Sequence, residues 1–242
     1  MRDALIIVPV YNEEKNIRKV TEDLKENIDF ADILVINDSS TDDTLMVLND
    51  INVEYISLPF NMGYSAALQS GFKYAVKHNY KYVIQFDGDG QHKASEIKKL
   101  YSQIIKSESD IVIGSRFKEQ SEYNHSFFRK VGTYIFKKFI HITCNKDISD
   151  PTSGLQILSR KVFCRYSKAG LYPEFPDANL IIEMIYNGYK IEEVQVYMEE
   201  RVFGISMHSG VVKPIKYMVK MMYSIIIICL KYKLCRSRKL CD

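Results

Sequence analysis

Two aspartates one residue apart, Asp87 and Asp89, close a short run of β-branched and aromatic side chains at residues 82–86. On an extended backbone residues i and i+2 point to the same side, so both carboxylates can converge on one small volume. Two hard oxygen donors at a strand end suit a divalent cation such as Mg2+ or Mn2+. Gly88 and Gly90 let the backbone turn sharply and let a ligand approach closely. Three other readings compete. A solvated Asp-Gly turn is the commonest fate of such residues. A calcium loop would need Gly where His92 stands and Glu where Lys98 stands. A dinucleotide fingerprint would need Gly at Lys93 and would place its glycines before a helix without paired acids. The last two fail on residues, and the first is judged by what surrounds the pair.

The elements that would position this pair alternate regularly. Residues 4–10 form an apolar strand ending in Pro9-Val-Tyr-Asn-Glu13, followed by Ile17, Val20, Leu24 and Ile28 at helical spacing, with Asn12 as N-cap. A second buried strand, 33–36, closes in Asn37-Asp38-Ser-Ser-Thr-Asp-Asp43, where Ser40 or Thr41 is expected to cap the next helix. Strand 53–58, a helix with Tyr64, Ala67, Leu68, Gly71, Phe72 and Ala75 on one face, the strand before Asp87, a helix through Ile97, Leu100 and Ile104, and strand 111–114 complete this half. Such alternation predicts an α/β fold with a mostly parallel sheet and helices on both faces. Ligands then sit beyond the carboxyl ends of the strands. Tyr11, Asn12, Glu13, Asp38, Asp87, Asp89 and Arg116 all fall at those ends, and solvated loops explain each singly but not their clustering. No Gly-x-x-x-x-Gly-Lys-Ser/Thr stretch exists, which excludes a P-loop.

Beyond Arg116 the pattern loosens. Residues 127–142 read as a helix, 150–154 as a turn into an edge strand at 155–158, the stretch after Asp177 as a helix, and 190–197 as a strand. Arg201-Val-Phe-Gly-Ile-Ser206 is a basic loop. Without repeats or a low-complexity linker, residues 1–210 read as one domain and 211–242 as a basic, apolar C-terminal segment. The chain has 242 residues and a formal charge of +3, yet residues 213–239 hold eight Lys or Arg and no acid. Five cysteines without a Cys-x-x-Cys spacing suit free thiols in a reducing compartment. The start leads straight into a strand rather than a cleavable apolar region, so no signal peptide is read.

The ordered set Pro-Val-Tyr-Asn-Glu, Asn-Asp-x-Ser-x-Asp-x-Thr, Asn-x-Gly, Asp-Gly-Asp-Gly-Gln-His and Gly-Ser-Arg resembles family-two glycosyltransferases. Asp150-x-Thr-Ser-Gly154 and Arg201-x-x-Gly-x-Ser206 narrow the resemblance toward the dolichyl- and polyprenyl-phosphate sugar transferases, over residues 4–208. The resemblance implies a GT-A fold, a nucleotide-diphospho-sugar donor, Mg2+ or Mn2+, and inversion at the anomeric carbon. It implies that Pro9, Tyr11 and Glu13 border the nucleoside and that Asp38 hydrogen-bonds the base. Asp87 would lie near the ribose and diphosphate, and Asp89 would be the principal metal ligand. Arg116 and Ser206 join the donor-binding set and Arg201, on a loop near the phosphates, the catalytic one, with ion pairing as the plainer reading of Arg116 and exposure that of Arg201. At Asn37 the chain departs from the family, which often has a second Asp there.

Sugar transfer leaves a nucleoside diphosphate whose developing charge needs a metal and cationic donors. A hydroxyl acceptor also needs a carboxylate base, and Asp150 and Asp177 are the candidates; capping a turn and a helix explains each equally well. A phosphate acceptor is already ionised near neutrality and needs a strong base less. His92 is expected to pack behind the metal site, and His208 is a lone histidine. The expected reaction is transfer to a polyprenyl or dolichyl phosphate on the cytoplasmic side of a membrane. A saccharide acceptor and a binding module without turnover are the alternatives, and no nucleic acid partner is expected. In the tail, residues 221–230 are almost continuously apolar, but ten helical residues cover only about 15 Å. A bilayer core is about 30 Å thick. Extending the run brings in Lys216, Lys220, Lys231 and Lys233, so an amphipathic helix lying on an anionic membrane surface is expected.

Overall fold

The computed structural model describes residues 2–118, 127–199 and 212–238. Seven strands, β1 (Ala4–Val10), β2 (Ala31–Asn37), β3 (Glu54–Ser57), β4 (Tyr82–Gln85), β5 (Ile111–Ser115), β6 (Gln156–Ser159) and β7 (Ile191–Gln195), form a sheet in the order β3-β2-β1-β4-β6-β5-β7. All neighbours are parallel except β6, which runs antiparallel to both β4 and β5. Eight helices cover the two faces: α1 (Ile17–Asn27), α2 (Thr44–Asp50), α3 (Tyr64–Lys77), α4 (Ala94–Ser107), α5 (Phe127–Cys144), α6 (Arg160–Tyr166), α7 (Ala178–Tyr186) and α8 (Val212–Arg238).

Because both faces are covered, the central strands read as unbroken apolar runs, and their alternate residues feed two separate cores. In β1, Ala4, Ile6, Val8 and Val10 join Ile17, Val20 and Leu24 of α1 and Ile97 and Leu100 of α4. Leu5 and Ile7 point the other way, toward α3, α6, α7 and α8. The chain steps from β1 to β2 to β3, then reverses across the sheet to β4. With right-handed crossovers the reversal puts α3 on the face opposite α1. It also makes the boundary between β1 and β4 the switch point, where a crevice opens beyond the strand ends.

Three local expectations change. Residues 155–158, expected at an edge, belong to an interior strand, with Ile157 in one core and Leu158 in the other. A strand this short gives no periodicity to tell interior from edge. Asn12 does not cap α1: it sits at φ 57, four residues before the first turn, and its amide is turned to Thr41 instead. At α2 neither Ser40 nor Thr41 caps; Asp42 Oδ1 accepts both the backbone N–H (3.0 Å) and the hydroxyl (2.6 Å) of Thr44.

Gly71 lets α3 close onto β1. A Cβ there would lie 2.6 Å from Cδ1 and Cγ2 of the fully buried Ile7. Overpacking of this kind costs about 1–3 kcal/mol, against a helix-propensity gain of about 1 kcal/mol for Gly to Ala. Gly71→Ala is therefore expected to destabilise the chain, by up to about 2 kcal/mol net. Urea denaturation checks this, and an unchanged or raised midpoint contradicts the close-packing account.

Candidate active site

The ends of β1 and β2 are knitted together by short polar side chains. Asn12 N–H donates to Ser40 Oγ (3.0 Å), Asn12 Oδ1 accepts Thr41 N–H (2.8 Å), and Glu13 N–H donates to Thr44 Oγ1 (2.9 Å). Pro9 lies within β1 opposite Ile36, and Glu13 is buried with its Oε2 accepting Asn16 Nδ2 (2.6 Å). Tyr11 is 45% exposed beside them, free of the cores that hold most aromatic rings. Asp38, expected to meet a base, accepts the backbone N–H groups of Met62 and Gly63, each at 2.7 Å. It thereby fixes the loop before α3 on which Phe60 and Met62 stand exposed. Asn37 accepts from Ser40 N–H (3.1 Å) and Oγ–H (2.6 Å) through Oδ1 and donates to Ser57 Oγ (3.1 Å) through Nδ2. An amide serves both directions at once, which gives the departure at Asn37 a structural reason.

The acidic pair follows β4 at the switch point. Tyr64 O–H donates to Asp87 Oδ1 (2.9 Å), and His92 Nε2 lies 3.5 Å from Asp87 Oδ2. That separation is too long for a well-formed hydrogen bond, and both ring nitrogens of the buried His92 lack partners among the described residues. Burial works to raise the Asp87 pKa, but His92, Tyr64 and Arg116 outweigh it and hold the carboxyl below its usual range. Asp89 Oδ1 accepts Gln91 N–H (3.1 Å), and Gly90, at φ 75, turns the chain back. The turned loop is fastened to the segment after β7: Gln91 C=O accepts Glu199 N–H (2.8 Å), His92 pairs with Met198, and Lys93 meets Glu199 at 2.9 Å.

Arg116, at the end of β5, grips Asp150. Nε donates to Oδ2 (2.6 Å) and Nη2 to Oδ1 (2.7 Å), with a further bond from Nη2 to Thr152 Oγ1 (3.0 Å). Asp150 is fully buried and Arg116 nearly so, so the plainer reading of Arg116, an ion pair, is the arrangement found. Glu193 of β7 accepts the backbone N–H groups of Ser149 (2.7 Å) and Asp150 (2.9 Å) and locks the turn. Of the two candidate bases this leaves Asp177 better placed. Burial, with the nearby charges of Asp150 and Asp87, lifts its carboxyl to about 6 against the lowering pull of Tyr217 and Arg116. Tyr217 O–H donates to Asp177 Oδ2 at 2.6 Å. Arg201, Ser206 and His208 lie outside the described residues.

Sequence reasoning missed Tyr64 and Tyr217. Tyr64 was assigned to an apolar helix face and Tyr217 to the tail, and nothing in their spacing signals a carboxylate partner. Asp150-x-Thr-Ser-Gly154 did point to Gly154. A Cβ at Gly154 would run into Asp87 Oδ2, so only glycine leaves that carboxylate its place.

Among the described residues no three His, Cys, Asp or Glu side chains form a ready-made metal cage. A hard cation that keeps substrate phosphates as ligands needs only one or two protein carboxylates. The low-pKa Asp87, Asp89 beside it, and the space kept open by Gly154 fit that role. Gly154→Ala is expected to displace Asp87 and lower kcat/KM about ten- to a hundredfold, with little change in the thermal midpoint. Wild-type kinetics in this variant would show that Asp87 is not held where it is needed.

A UDP-N-acetylglucosamine–dolichyl-phosphate N-acetylglucosaminyltransferase of Methanococcus voltae is 29% identical over 219 residues, covering 81% of this chain and 86% of that protein. A polyprenol monophosphomannose synthase of Mycolicibacterium smegmatis is 25% identical over 216 residues, covering 86% and 81%. Among solved structures, glucosyl-3-phosphoglycerate synthase of Mycobacterium tuberculosis, crystallised with Mn2+, UDP-glucose and phosphoglyceric acid, has a similar fold. The TM-score is 0.70 at 16% identity, covering 94% of this chain and 80% of that one. This likeness shows the GT-A fold expected from the sequence. The glycosyl transferase family 2 model matches residues 5–166, which hold the acidic pair, Arg116 and Asp150, and the chain belongs to that family.

Proposed function

We propose that the chain transfers a sugar, with inversion, from a nucleotide-diphospho-sugar to a polyprenyl or dolichyl phosphate. The observation that carries this reading is the pairing of Asp87 and Asp89 at the β1–β4 switch point with Asp177 near enough for its charge to be felt. Two carboxylates pushed in opposite directions, Asp87 down and Asp177 up, divide the work of a site between a charged ligand and a proton acceptor. Asp87 and Asp89 would hold Mg2+ or Mn2+ on the donor diphosphate, and a bound cation there supplies charge neutralisation for the leaving group. Pro9, Tyr11 and Glu13 border the nucleoside, and Asp38 shapes the loop beside the base. Arg116 contributes positive charge to the cleft from within its pair with Asp150, and Arg201 and Ser206 complete the donor set as the family resemblance implies.

A phosphate oxygen of the acceptor attacks the anomeric carbon as the bond to the nucleoside diphosphate breaks. A phosphate monoester has its second pKa at about 6, close to that of Asp177. The diester product keeps no such proton. When the acceptor arrives as a monoanion, Asp177 takes its proton, a step that its raised carboxyl favours. The names of the relatives favour a lipid phosphate, since both act on dolichyl phosphate or polyprenol by their names.

The test is transfer from UDP- and GDP-sugars to a polyprenyl phosphate with Mg2+ or Mn2+. Asp89→Asn, in a loop where substitutions seldom unfold a protein, is expected to lose at least about a hundredfold in kcat/KM. Excess chelator should do the same to the wild-type chain. Undiminished transfer in either case removes the metal assignment, and transfer only to sugar hydroxyls moves the reading to a saccharide acceptor.

The membrane side of this reading rests on α8. Among the described residues no helix is long and apolar enough to cross a membrane. Ile215, Val219, Tyr223, Ile226 and Leu230 recur at steps of three and four residues, and all are exposed. Lys216 and Lys233 are exposed on the same helix. An outward apolar stripe with lysines on it suits the headgroup plane of an anionic bilayer. The free thiols of Cys144, Cys164 and Cys229 suit its cytoplasmic side. Removing the whole segment from about residue 211 is a poor test, because the opposite face of α8 buries Met221 and Ile225 in the core. Replacing the exposed Ile226 and Leu230 together by Asp is instead expected to weaken sedimentation with anionic vesicles at least about tenfold at low salt. Equal sedimentation of the two proteins contradicts the surface placement.

A further inference from the structure

The inner face of α8 reaches Asp177. Tyr217 O–H donates to Asp177 Oδ2 at 2.6 Å. Its ring is held edge-on by Phe136 of α5 (centroids 6.1 Å) and by Phe175 of the loop before α7 (5.3 Å). One turn further along, Lys220 bonds both carboxylate oxygens of Glu174 (2.9 and 2.7 Å) and covers the Phe175 ring. The same loop is clasped from the other side by α3, where Ser65 O–H donates to the Glu174 carbonyl (2.6 Å), next to the Tyr64 that bonds Asp87. Residues 174–177 are thus suspended between α3, which also holds an acid of the donor side, and α8. An aromatic ring fixed on two sides leaves its hydroxyl one place to point.

We propose that Tyr217 is a positioning residue: it holds the Asp177 carboxylate toward the acceptor, so the C-terminal helix belongs to the catalytic apparatus as well as to the membrane-facing surface. This rests on the reading of Asp177 as the acceptor-side carboxylate. It gives α8 two faces with different tasks, an outer stripe toward lipid and an inner Tyr217 and Lys220 toward the cleft. A lipid phosphate delivered along the outer surface then meets a carboxylate set by the same helix.

A hydrogen bond donated to a carboxylate favours its charged form, so losing it raises the pKa. The other titratable or charged groups bearing on Asp177 are Arg116, which lowers it, Asp150 and Asp87, which raise it, and the hydroxyls of Tyr64 and Tyr172, which feel its charge. The experiment uses full-length Tyr217→Phe, which keeps the ring between Phe136 and Phe175. In the protein alone, the Asp177 carboxyl is titrated by carbon NMR. In turnover, a short-chain water-soluble polyprenyl phosphate is supplied without vesicles, with whichever of UDP-glucose, UDP-N-acetylglucosamine or GDP-mannose the wild-type chain uses. The expected results are an Asp177 midpoint above that of wild type, a kcat lower by about tenfold with unchanged donor KM, and an acid limb of the rate profile moved to higher pH. Vesicle sedimentation should be that of wild type. A wild-type midpoint, or a wild-type kcat with an unmoved acid limb, overturns the proposal. Asp177→Asn separates this from its premise: if it transfers at the wild-type rate, the acceptor reading of Asp177 fails, whatever Tyr217 does to the titration.

Discussion

A carboxylate with no exposed surface is tolerable in this fold only because an arginine answers it in two places. Asp150 is taken by Nε and Nη2 of Arg116, and its backbone is taken by Glu193. Burying either charge alone would cost several kcal/mol, and removing one partner of such a pair typically costs about 3–5 kcal/mol. The pair stands where β5 ends and the turn into β6 begins. Ser153 O–H bonds the Gly114 carbonyl (2.6 Å) on the same turn. The turn therefore enters β6 at one fixed height, β6 fits antiparallel between β4 and β5, and Gly154 faces Asp87. The placing of Gly154 against Asp87 is thus built on a buried ion pair.

That constraint also sets the charge balance of the cleft. Asp87, Asp150 and Asp177 share a neighbourhood with one described arginine, which is committed bidentately to Asp150. Asp87 remains ionised because Tyr64 and His92 face it as well. Tyr217 donates a hydrogen bond to Asp177, but burial and the like charges of Asp150 and Asp87 outweigh it and lift that carboxyl to about 6.

α8 extends the same economy to the surface. It is 27 residues long, roughly 40 Å at 1.5 Å per residue. One face packs through Met221 and Ile225 onto the core while Asn179 Nδ2 donates to Ser224 Oγ (2.9 Å) and Tyr186 stacks on Tyr232. The opposite face keeps its isoleucines in the open. A helix apolar on two sides has two partners to satisfy, and the domain supplies one of them.

The alternation of apolar runs with helical periodicity was enough to place five strands and their helices, and the acid pair at the end of β4. Local sequence decides these because burial on both faces writes itself as unbroken Val, Ile and Leu, and because a strand end is marked by the first Asp, Asn or Gly. The family resemblance was legible in the order of its short motifs. Three things were not. The interior place of β6 depends on its pairing with β4 and β5, which lie more than forty residues away from it, and four residues carry no sign of it. That Arg116 grips Asp150 rather than Asp177 is decided by a contact across 34 residues. The tail was expected to be a helix and is one, but its inner face, and the hydroxyl of Tyr217 on Asp177, exist only once α5, α7 and the 172–177 loop have closed around it. Periodicity records which side of an element is apolar; what stands on the other side of the contact is decided by the fold.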